Sequence, residues 1–174
     1  MASPAFCCAL AAFDYAPPAD GLVLALKNGM RLGRAGLLGR LLADAVQQAE
    51  ILPPVQALVP IPASRASLRR RGFNPAAEIA RVLGRELSLP VRPQWLARTR
   101  ESDKQSRLGR SARRRGAEGL YVCNQPLPAQ WVAVVDDVMT TGSTLNSAAQ
   151  ALLAAGAAGV VALAVARTPY ALAK

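Results

Sequence analysis

The stretch that decides the fold is Val132-Ala-Val-Val-Asp136-Asp137-Val-Met-Thr140-Thr141-Gly142-Ser143-Thr144. Residues 131–135 are apolar and mostly β-branched, which predicts a buried strand. Two adjacent carboxylates follow, then a predicted loop over 138–143 that is rich in hydroxyl groups, and then a predicted helix over 144–155. In open parallel sheets, ligands bind beyond the carboxyl ends of the strands. The pattern therefore places acids and hydroxyls where such a fold binds its ligand.

The two halves of this stretch suit different parts of one ligand. Backbone N–H groups at a helix start, with neighbouring hydroxyls, suit a phosphate monoester, and Gly142 lets the backbone approach it. The carboxylates of Asp136 and Asp137 suit ribose hydroxyls or a Mg²⁺ ion. In a purely structural interpretation, the acids would only end a strand and the hydroxyls would only cap a helix. This interpretation is disfavoured. Two adjacent buried carboxylates repel each other unless donors or a cation compensate them.

The surrounding sequence predicts further elements of the same layered fold. A glycine turn at Gly156 and an apolar strand over 160–165 complete a strand–helix–strand unit. Upstream, the periodicity predicts a helix over 33–49, a buried strand over 57–61, and a helix with Asn74 as N-cap and Pro75 at its first position. Continuously apolar strands are typical of parallel sheets covered on both faces. We therefore expect one α/β domain.

Several classes of protein are excluded by composition. The chain has 174 residues and no histidine, which excludes a histidine base, a Ser-His-Asp triad and histidine metal ligands. Its three cysteines, Cys7, Cys8 and Cys123, are too few for a disulfide framework or a four-cysteine zinc site. The uncharged run at 151–166 is shorter than the ~20 residues that span a bilayer, and Gly156 and Gly159 interrupt it. We expect a cytoplasmic protein with no membrane insertion.

The positive charge lies in one segment. The formal net charge is +10, and residues 65–115 hold 15 of the 21 basic residues but only four of the 11 acidic ones. We define residues 65–115 as the basic segment. Such a concentration of arginine indicates an anionic partner: nucleic acid, phosphate groups or a membrane surface. Only Phe73 and Trp95 are aromatic within it, which favours a phosphate ligand over a base-stacking surface. Residues 98–119 are polar and predict a mobile loop.

These motifs carry a family resemblance. Residues 132–144 resemble the phosphoribosyl pyrophosphate (PRPP) signature of type I phosphoribosyltransferases. Val59-Pro60-Ile61-Pro62 and Arg71-Gly72-Phe73-Asn74 resemble the pattern of the ComF family, the competence-protein branch of those enzymes. The resemblance implies a type I phosphoribosyltransferase fold, with a central parallel sheet flanked by helices. Residues 1–52 would form a small N-terminal hood packed on a core at 53–174. Many relatives carry an N-terminal zinc ribbon, of which Cys7-Cys8 is at most a remnant, so no zinc is expected.

The resemblance also implies roles for individual residues. Asp136 and Asp137 would hold the ribose hydroxyls and Mg²⁺, directly or through water. The 5′-phosphate would lie in the loop formed by Thr140, Thr141, Gly142, Ser143 and Thr144. Pyrophosphate would contact Ala63, Ser64, Arg65 and Arg71. Arg100 and Lys104 would act as catalytic cations on the mobile loop.

Two functions follow from the resemblance and stay open here. The first is transfer of ribose 5-phosphate from PRPP to an unidentified acceptor, with release of pyrophosphate. The second is a competence or DNA-uptake factor that binds single-stranded DNA through the basic segment, with a regulatory or silent PRPP site. A homodimer is compatible with both functions.

Overall fold

The structure, a computed structural model, describes residues 3–27, 32–49, 52–99 and 119–169. The strands are β1 (Cys8–Asp14), β2 (Ala57–Pro60), β3 (Ala97–Arg98), β4 (Tyr121–Val122), β5 (Trp131–Met139) and β6 (Gly159–Arg167). The helices are α1 (Asp20–Lys27), α2 (Leu32–Gln48), α3 (Arg65–Arg71), α4 (Pro75–Glu86) and α5 (Ser143–Ala154), with a 3₁₀ turn at Pro93–Trp95. The predicted catalytic cations Arg100 and Lys104 lie outside the described residues.

The central sheet has the order β1-β6-β5-β2, and all its strand pairs are parallel. β5, α5 and β6 form the predicted strand–helix–strand unit, with Gly156 in a left-handed conformation at the turn (φ +110°). A second, antiparallel pair joins β3 to β4. The α/β class with a parallel central sheet, predicted from the apolar strands, is confirmed.

Helices cover both faces of the sheet. Val132 and Val134 of β5 pack in a core cluster with α5, whereas Ala133 and Val135 pack in a second cluster with α1, α2 and α4. A strand buried on both faces needs apolar side chains at consecutive positions, which explains the uninterrupted run in β5. Among the described residues, no helix is both long and apolar enough to cross a membrane.

The N-terminal segment adds a strand to the edge of the central sheet. β1 pairs in parallel with β6, from Cys8 opposite Val161 to Asp14 opposite Arg167, and so forms an edge strand of the central sheet. Residues 8–13 consist of small and apolar side chains without β-branched residues or strict alternation, so periodicity gave no strand signal. The segment extends the sheet, and α2 packs against β1 and α4.

Regular structure near Asp136 and Asp137 is longer than the sequence predicted. Val138 and Met139, predicted as loop, belong to β5, because they pair with Ala166 and Arg167 of the longer β6. The arginine-rich stretch after Ser64 forms helix α3. Both changes lengthen regular structure next to the predicted ligand site.

Candidate ligand-binding site

The ends of β2 and β5 meet at one edge of the sheet. Pro60 pairs with Val135, and the Ile61 N–H donates to the Val135 carbonyl at 2.9 Å. Residues 62–65 therefore leave β2 directly beside Asp136 and Asp137 on β5. The fold thus brings together the predicted pyrophosphate-binding residues Ala63, Ser64 and Arg65 and the two predicted carboxylates, although more than 70 residues separate them in the chain.

Backbone amides orient both carboxylates. The Asp137 N–H donates to Asp136 Oδ1 at 2.8 Å, and the Val138 N–H donates to Asp137 Oδ1 at 2.8 Å. Both side chains are half-buried. Each carboxylate therefore has one oxygen fixed by the following peptide.

Strict alternation of side chains is interrupted at these acids. Val134 and Met139 pack in one core cluster, and Val135 and Val138 pack in the other. Regular alternation would place Val138 on the face of Val134. Val138 therefore packs in the same cluster as Val135 near the end of β5.

The hydroxyl-rich loop leads into α5 through a left-handed glycine. Gly142 has φ +74° and is the N-cap of α5, so this cap brings no side chain over the first-turn amides. Thr141 Oγ1 donates to Ser143 Oγ at 3.0 Å, and both Thr140 and Thr141 are exposed. Residues 140–144 thus combine hydroxyl groups with the start of a helix, the two features on which the predicted phosphate site depends.

Residues near the N terminus contact this loop. The Ala5 N–H donates to Asn146 Oδ1 at 2.6 Å, and a Cβ on Gly142 would lie 3.7 Å from the Phe6 ring. Phe6 also packs against the core cluster that contains α5. The segment before β1 therefore borders the predicted phosphate loop, a contact that no sequence motif indicated.

The predicted pyrophosphate residues occupy both ends of α3. Ser64 is the N-cap: its Oγ accepts from the Ser67 N–H at 3.1 Å and donates to Ser67 Oγ at 3.0 Å, so this hydroxyl serves the helix. Arg65 is exposed at the first position of α3. Arg71 is at the last position, about 9 Å further along the helix axis. Its Nε is buried and has no hydrogen-bond partner among the described residues.

Arg98 and Tyr121 were not predicted as site residues, but the Asp136 charge acts on Tyr121. They pair across β3 and β4, and the Arg98 guanidinium carbon lies 5.8 Å from the centre of the Tyr121 ring. Burial raises the pKa of Tyr121 from its ordinary 10 to about 12, while the Arg98 charge lowers it and the Asp136 charge raises it. Asp136 therefore contributes to the electrostatic environment of Tyr121. Residue 98 had been predicted only as the start of the polar loop at 98–119, and Tyr121 had no sequence signal.

The same two strands flank residues 100–118. The Thr99 N–H donates to the Leu120 carbonyl at 3.0 Å, and Thr99 Oγ1 donates to the Gly119 carbonyl at 2.6 Å. The described chain therefore meets the two ends of the predicted mobile segment at one point, where Thr99 pairs with residues 119–120. Its cations Arg100 and Lys104, and the arginines at 110–115, lie outside the described residues.

The Tyr121 environment gives a testable pH dependence. Since the folded-state pKa is above the unfolded value, folded Tyr121 keeps its proton between pH 10 and 12 while the unfolded chain releases it. This contribution to stability is complete below pH 10 and is lost as the pH rises to 12. We expect an ultraviolet titration to show one tyrosine ionising near pH 12. Tyr121→Phe should remove that transition and lessen the fall in stability across this interval. A Tyr121 midpoint at 10 would contradict the described burial.

The thiols form no larger donor cluster. Cys7, Cys8 and Cys123 are free, and Cys7 Sγ lies 3.4 Å from Cys8 Sγ. Burial is the largest cause that raises the pKa of the Cys8 thiol to about 11; the hydrogen bond and the charge interaction with Cys7 contribute to the same rise. Within the described ranges, no group of three or more His, Cys, Asp or Glu side chains is arranged to hold a metal ion. Asp136 and Asp137 could supply two carboxylate ligands to a hard cation such as Mg²⁺, with the others coming from a ligand and water.

Comparison with known proteins places this chain among competence-related proteins. No protein-family model matches it. The DNA utilization protein YhgH of Escherichia coli K12 is 34% identical over 158 residues, which cover 89% of this chain and 70% of that protein. Competence protein F of Haemophilus influenzae is 36% identical over 121 residues, 66% of this chain and 53% of the relative. Competence protein ComFC of Bacillus subtilis is 35% identical over 104 residues, 60% of this chain and 41% of the relative.

A solved structure, the purine phosphoribosyltransferase from Pyrococcus horikoshii, aligns with 82% of this chain and 88% of its own, with a TM-score of 0.43 and 16% identity. The sequence relatives decide the family, since the alignment with the E. coli protein extends over most of both chains. The chain therefore belongs to the ComF family of competence-related proteins.

Proposed function

We propose that this protein binds PRPP with Mg²⁺ at the edge formed by β2 and β5 and transfers ribose 5-phosphate to an acceptor, releasing pyrophosphate. One observation carries the proposal: Pro60 pairs with Val135 and the Ile61 N–H donates to the Val135 carbonyl, so the segment after Ile61 starts beside the strand end that bears Asp136 and Asp137. The predicted phosphate loop, the pair of carboxylates and the arginine-bearing segment thus follow from two neighbouring strand ends. PRPP carries matching groups in the same order: a 5′-phosphate, a ribose diol and a pyrophosphate.

Each part of the site has a distinct task in this proposal. The loop at 140–144 binds the 5′-phosphate through backbone N–H groups and hydroxyls. Asp136 and Asp137 accept hydrogen bonds from the ribose hydroxyls and are the residues that would hold Mg²⁺. When bound, Mg²⁺ neutralises charge on the pyrophosphate oxygens. The acceptor approaches ribose C1 from the side opposite the pyrophosphate.

The reaction needs charge stabilisation more than a strong protein base. The bond between C1 and the pyrophosphate oxygen breaks as the acceptor bonds to C1, so negative charge grows on the leaving pyrophosphate. Arg65, at the start of α3, and Arg98, in β3, are the described cations that we expect to stabilise that charge. A chain without histidine is therefore compatible with this chemistry.

Calorimetry with PRPP tests the proposal. Wild-type protein is titrated with PRPP, ribose 5-phosphate and pyrophosphate, each with and without Mg²⁺. We expect PRPP to bind, to bind more tightly with Mg²⁺, and to bind more tightly than either fragment. Pyrophosphate release with a panel of candidate acceptor bases then tests for catalysis. If PRPP does not bind in the presence of Mg²⁺, the proposal is wrong.

A second candidate function, binding of single-stranded DNA, is supported by the surface of α3. Within this described helix no residue is buried, and Arg65, Arg69 and Arg70 are all exposed. The names of the E. coli and H. influenzae relatives refer to DNA utilization and competence. An exposed row of arginines can contact successive phosphates of a nucleic acid.

The salt dependence of DNA binding would identify these contacts. We expect Arg69→Gln with Arg70→Gln to reduce the slope of log affinity for single-stranded DNA against log salt by about 1.4, since each phosphate contact contributes ~0.7. Fluorescence anisotropy over a range of salt concentrations measures the slope. Arg34→Gln with Arg40→Gln on α2 removes the same charge elsewhere and is the matched control. Equal slopes for the two double variants would exclude α3 as the DNA-binding surface.

A further inference from the structure

The side chain of Asn74 makes two different hydrogen bonds. Its Oδ1 accepts from the Ala76 N–H at 3.1 Å, which is the ordinary N-cap of α4. Its Nδ2 donates to the Ile61 carbonyl at 2.9 Å, across 13 residues of chain. Asp and Ser cap helices as well as Asn does, so α4 itself requires only the first bond. The second bond needs another explanation.

Ile61 is the residue at which the chain leaves the central sheet toward the candidate site. Its N–H is held by the Val135 carbonyl of β5, and its carbonyl is held by Asn74. Ile61 is buried, and Pro62 follows it with no N–H to offer. Both backbone polar groups of Ile61 are therefore bonded immediately beside the aspartate pair, so residues 62–64 start from a defined position.

The turn after α3 brings Asn74 close to the Ile61 carbonyl. Gly72 adopts φ +77°, and its N–H donates to the Leu68 carbonyl at 2.7 Å, which ends α3 and reverses the chain. The bond from Asn74 to Ile61 closes the segment 61–74 into a loop. All four residues predicted to bind pyrophosphate, Ala63, Ser64, Arg65 and Arg71, lie within that closed segment.

We propose that Asn74 is a positioning residue for the pyrophosphate half of the site. Its amide fixes the Ile61 carbonyl and thereby sets residues 63–71 relative to Asp136 and Asp137. The proposal rests on the proposed function for the identity of the ligand. We expect the Asn74 contact to affect the binding of pyrophosphate alone, because the 5′-phosphate loop at 140–144 belongs to a different connection, between β5 and α5.

Asn74→Ser removes the hydrogen bond to Ile61 and keeps the N-cap of α4. Serine keeps a neutral N-cap for α4, but its shorter side chain cannot also reach the Ile61 carbonyl. We expect calorimetry with Mg²⁺ to show affinities for PRPP and pyrophosphate about tenfold lower, the size of one lost hydrogen bond, with ribose 5-phosphate unchanged. Asn74→Ala should show the same loss of affinity together with a lower Tm, since it also removes the cap.

The outcomes are distinguishable. If the wild type binds PRPP and Asn74→Ser binds it equally well, the inference is wrong and the proposed function stands. Equal weakening of ribose 5-phosphate and pyrophosphate would also overturn it, because the contact would then be a general scaffold. Hydrogen exchange without ligand gives a second test: the Ala63 and Ser64 amides should exchange faster in Asn74→Ser while α4 keeps its protection. Unchanged exchange at these amides overturns the inference even if the wild type binds no PRPP.

Discussion

Replacing Asp136 and Asp137 together by asparagine is expected to lower the affinity for PRPP in the presence of Mg²⁺ by about 100-fold or more. A hydrogen bond to a charged group contributes roughly 1.5–3 kcal/mol, so losing one such interaction at each carboxylate removes at least about 3 kcal/mol. The amide also lacks the negative charge that a hard cation prefers. The benefit of Mg²⁺ for PRPP binding should largely disappear in this double variant.

The geometry of the strand end makes this substitution conservative for the fold. Each Oδ1 accepts one backbone N–H, at 2.8 Å in both residues, and an asparagine Oδ1 accepts the same bond. Loss of affinity should therefore occur with little change in Tm. The matched control is Asp44→Asn with Glu86→Gln, which removes two exposed carboxylates elsewhere. Wild-type affinity in the Asp136/Asp137 variant, measured by calorimetry, would show that the ligand does not use this edge.

Asp136→Asn alone has a signature that requires no ligand. The Asp136 charge contributes to the raised pKa of Tyr121, whereas burial is the largest cause. Removing the charge should lower the Tyr121 midpoint only modestly from about 12. A change in the Tyr121 titration thus reports on Asp136 alone, whereas a change in PRPP affinity reports on both aspartates.

The sequence predicted the part of the site that is continuous in the chain. Residues 131–144 combine a strand pattern, adjacent acids and a hydroxyl-rich helix start, and each is a local signal with a physical cause. The N-cap at Asn74 was likewise predicted from the sequence, because Asn followed by Pro is a strong helix start. These features lie in β5, α5 and α4, where local preference and tertiary packing agree.

The features that were missed depend on contacts distant in sequence. β1 is a strand because β6 offers it a partner, although residues 8–13 carry no β-branched side chain. Tyr121 lies beside Arg98 because two-residue strands at 97–98 and 121–122 pair across the intervening segment, and such short strands have no usable periodicity. The Asn74 bond to Ile61 joins two motifs, at 59–62 and 71–74, that were identified separately in the sequence. No local sequence pattern indicates these three features, because each depends on a partner that is distant in the chain.

The second large effect is expected in the packing that supports α4. Gly39 of α2 faces α4, and an added Cβ there would lie 2.6 Å from Val82 Cβ, 2.7 Å from Val82 Cγ1 and 3.2 Å from the Ile79 carbonyl. Val82 and Ile79 are buried, and the Cβ of Val82 cannot rotate away from its own backbone. Gly39→Ala therefore forces the two helices apart, and overpacking of this kind costs about 1–3 kcal/mol or more.

Gly36→Ala is the matched control, because it makes the same substitution one turn earlier in α2. There the nearest atoms to an added Cβ are the guanidinium nitrogens of Arg40, at 3.9 Å and 4.0 Å, so only the helix preference of alanine acts. We expect Gly36→Ala to raise the free energy of unfolding by about 0.5–1 kcal/mol and Gly39→Ala to lower it by about 2 kcal/mol. Urea denaturation of both variants measures the difference. Stabilisation by Gly39→Ala equal to that by Gly36→Ala would show that α2 and α4 do not approach as described. Because Asn74 begins the helix that Gly39 packs against, separating α2 from α4 should also weaken PRPP binding in the protein that remains folded.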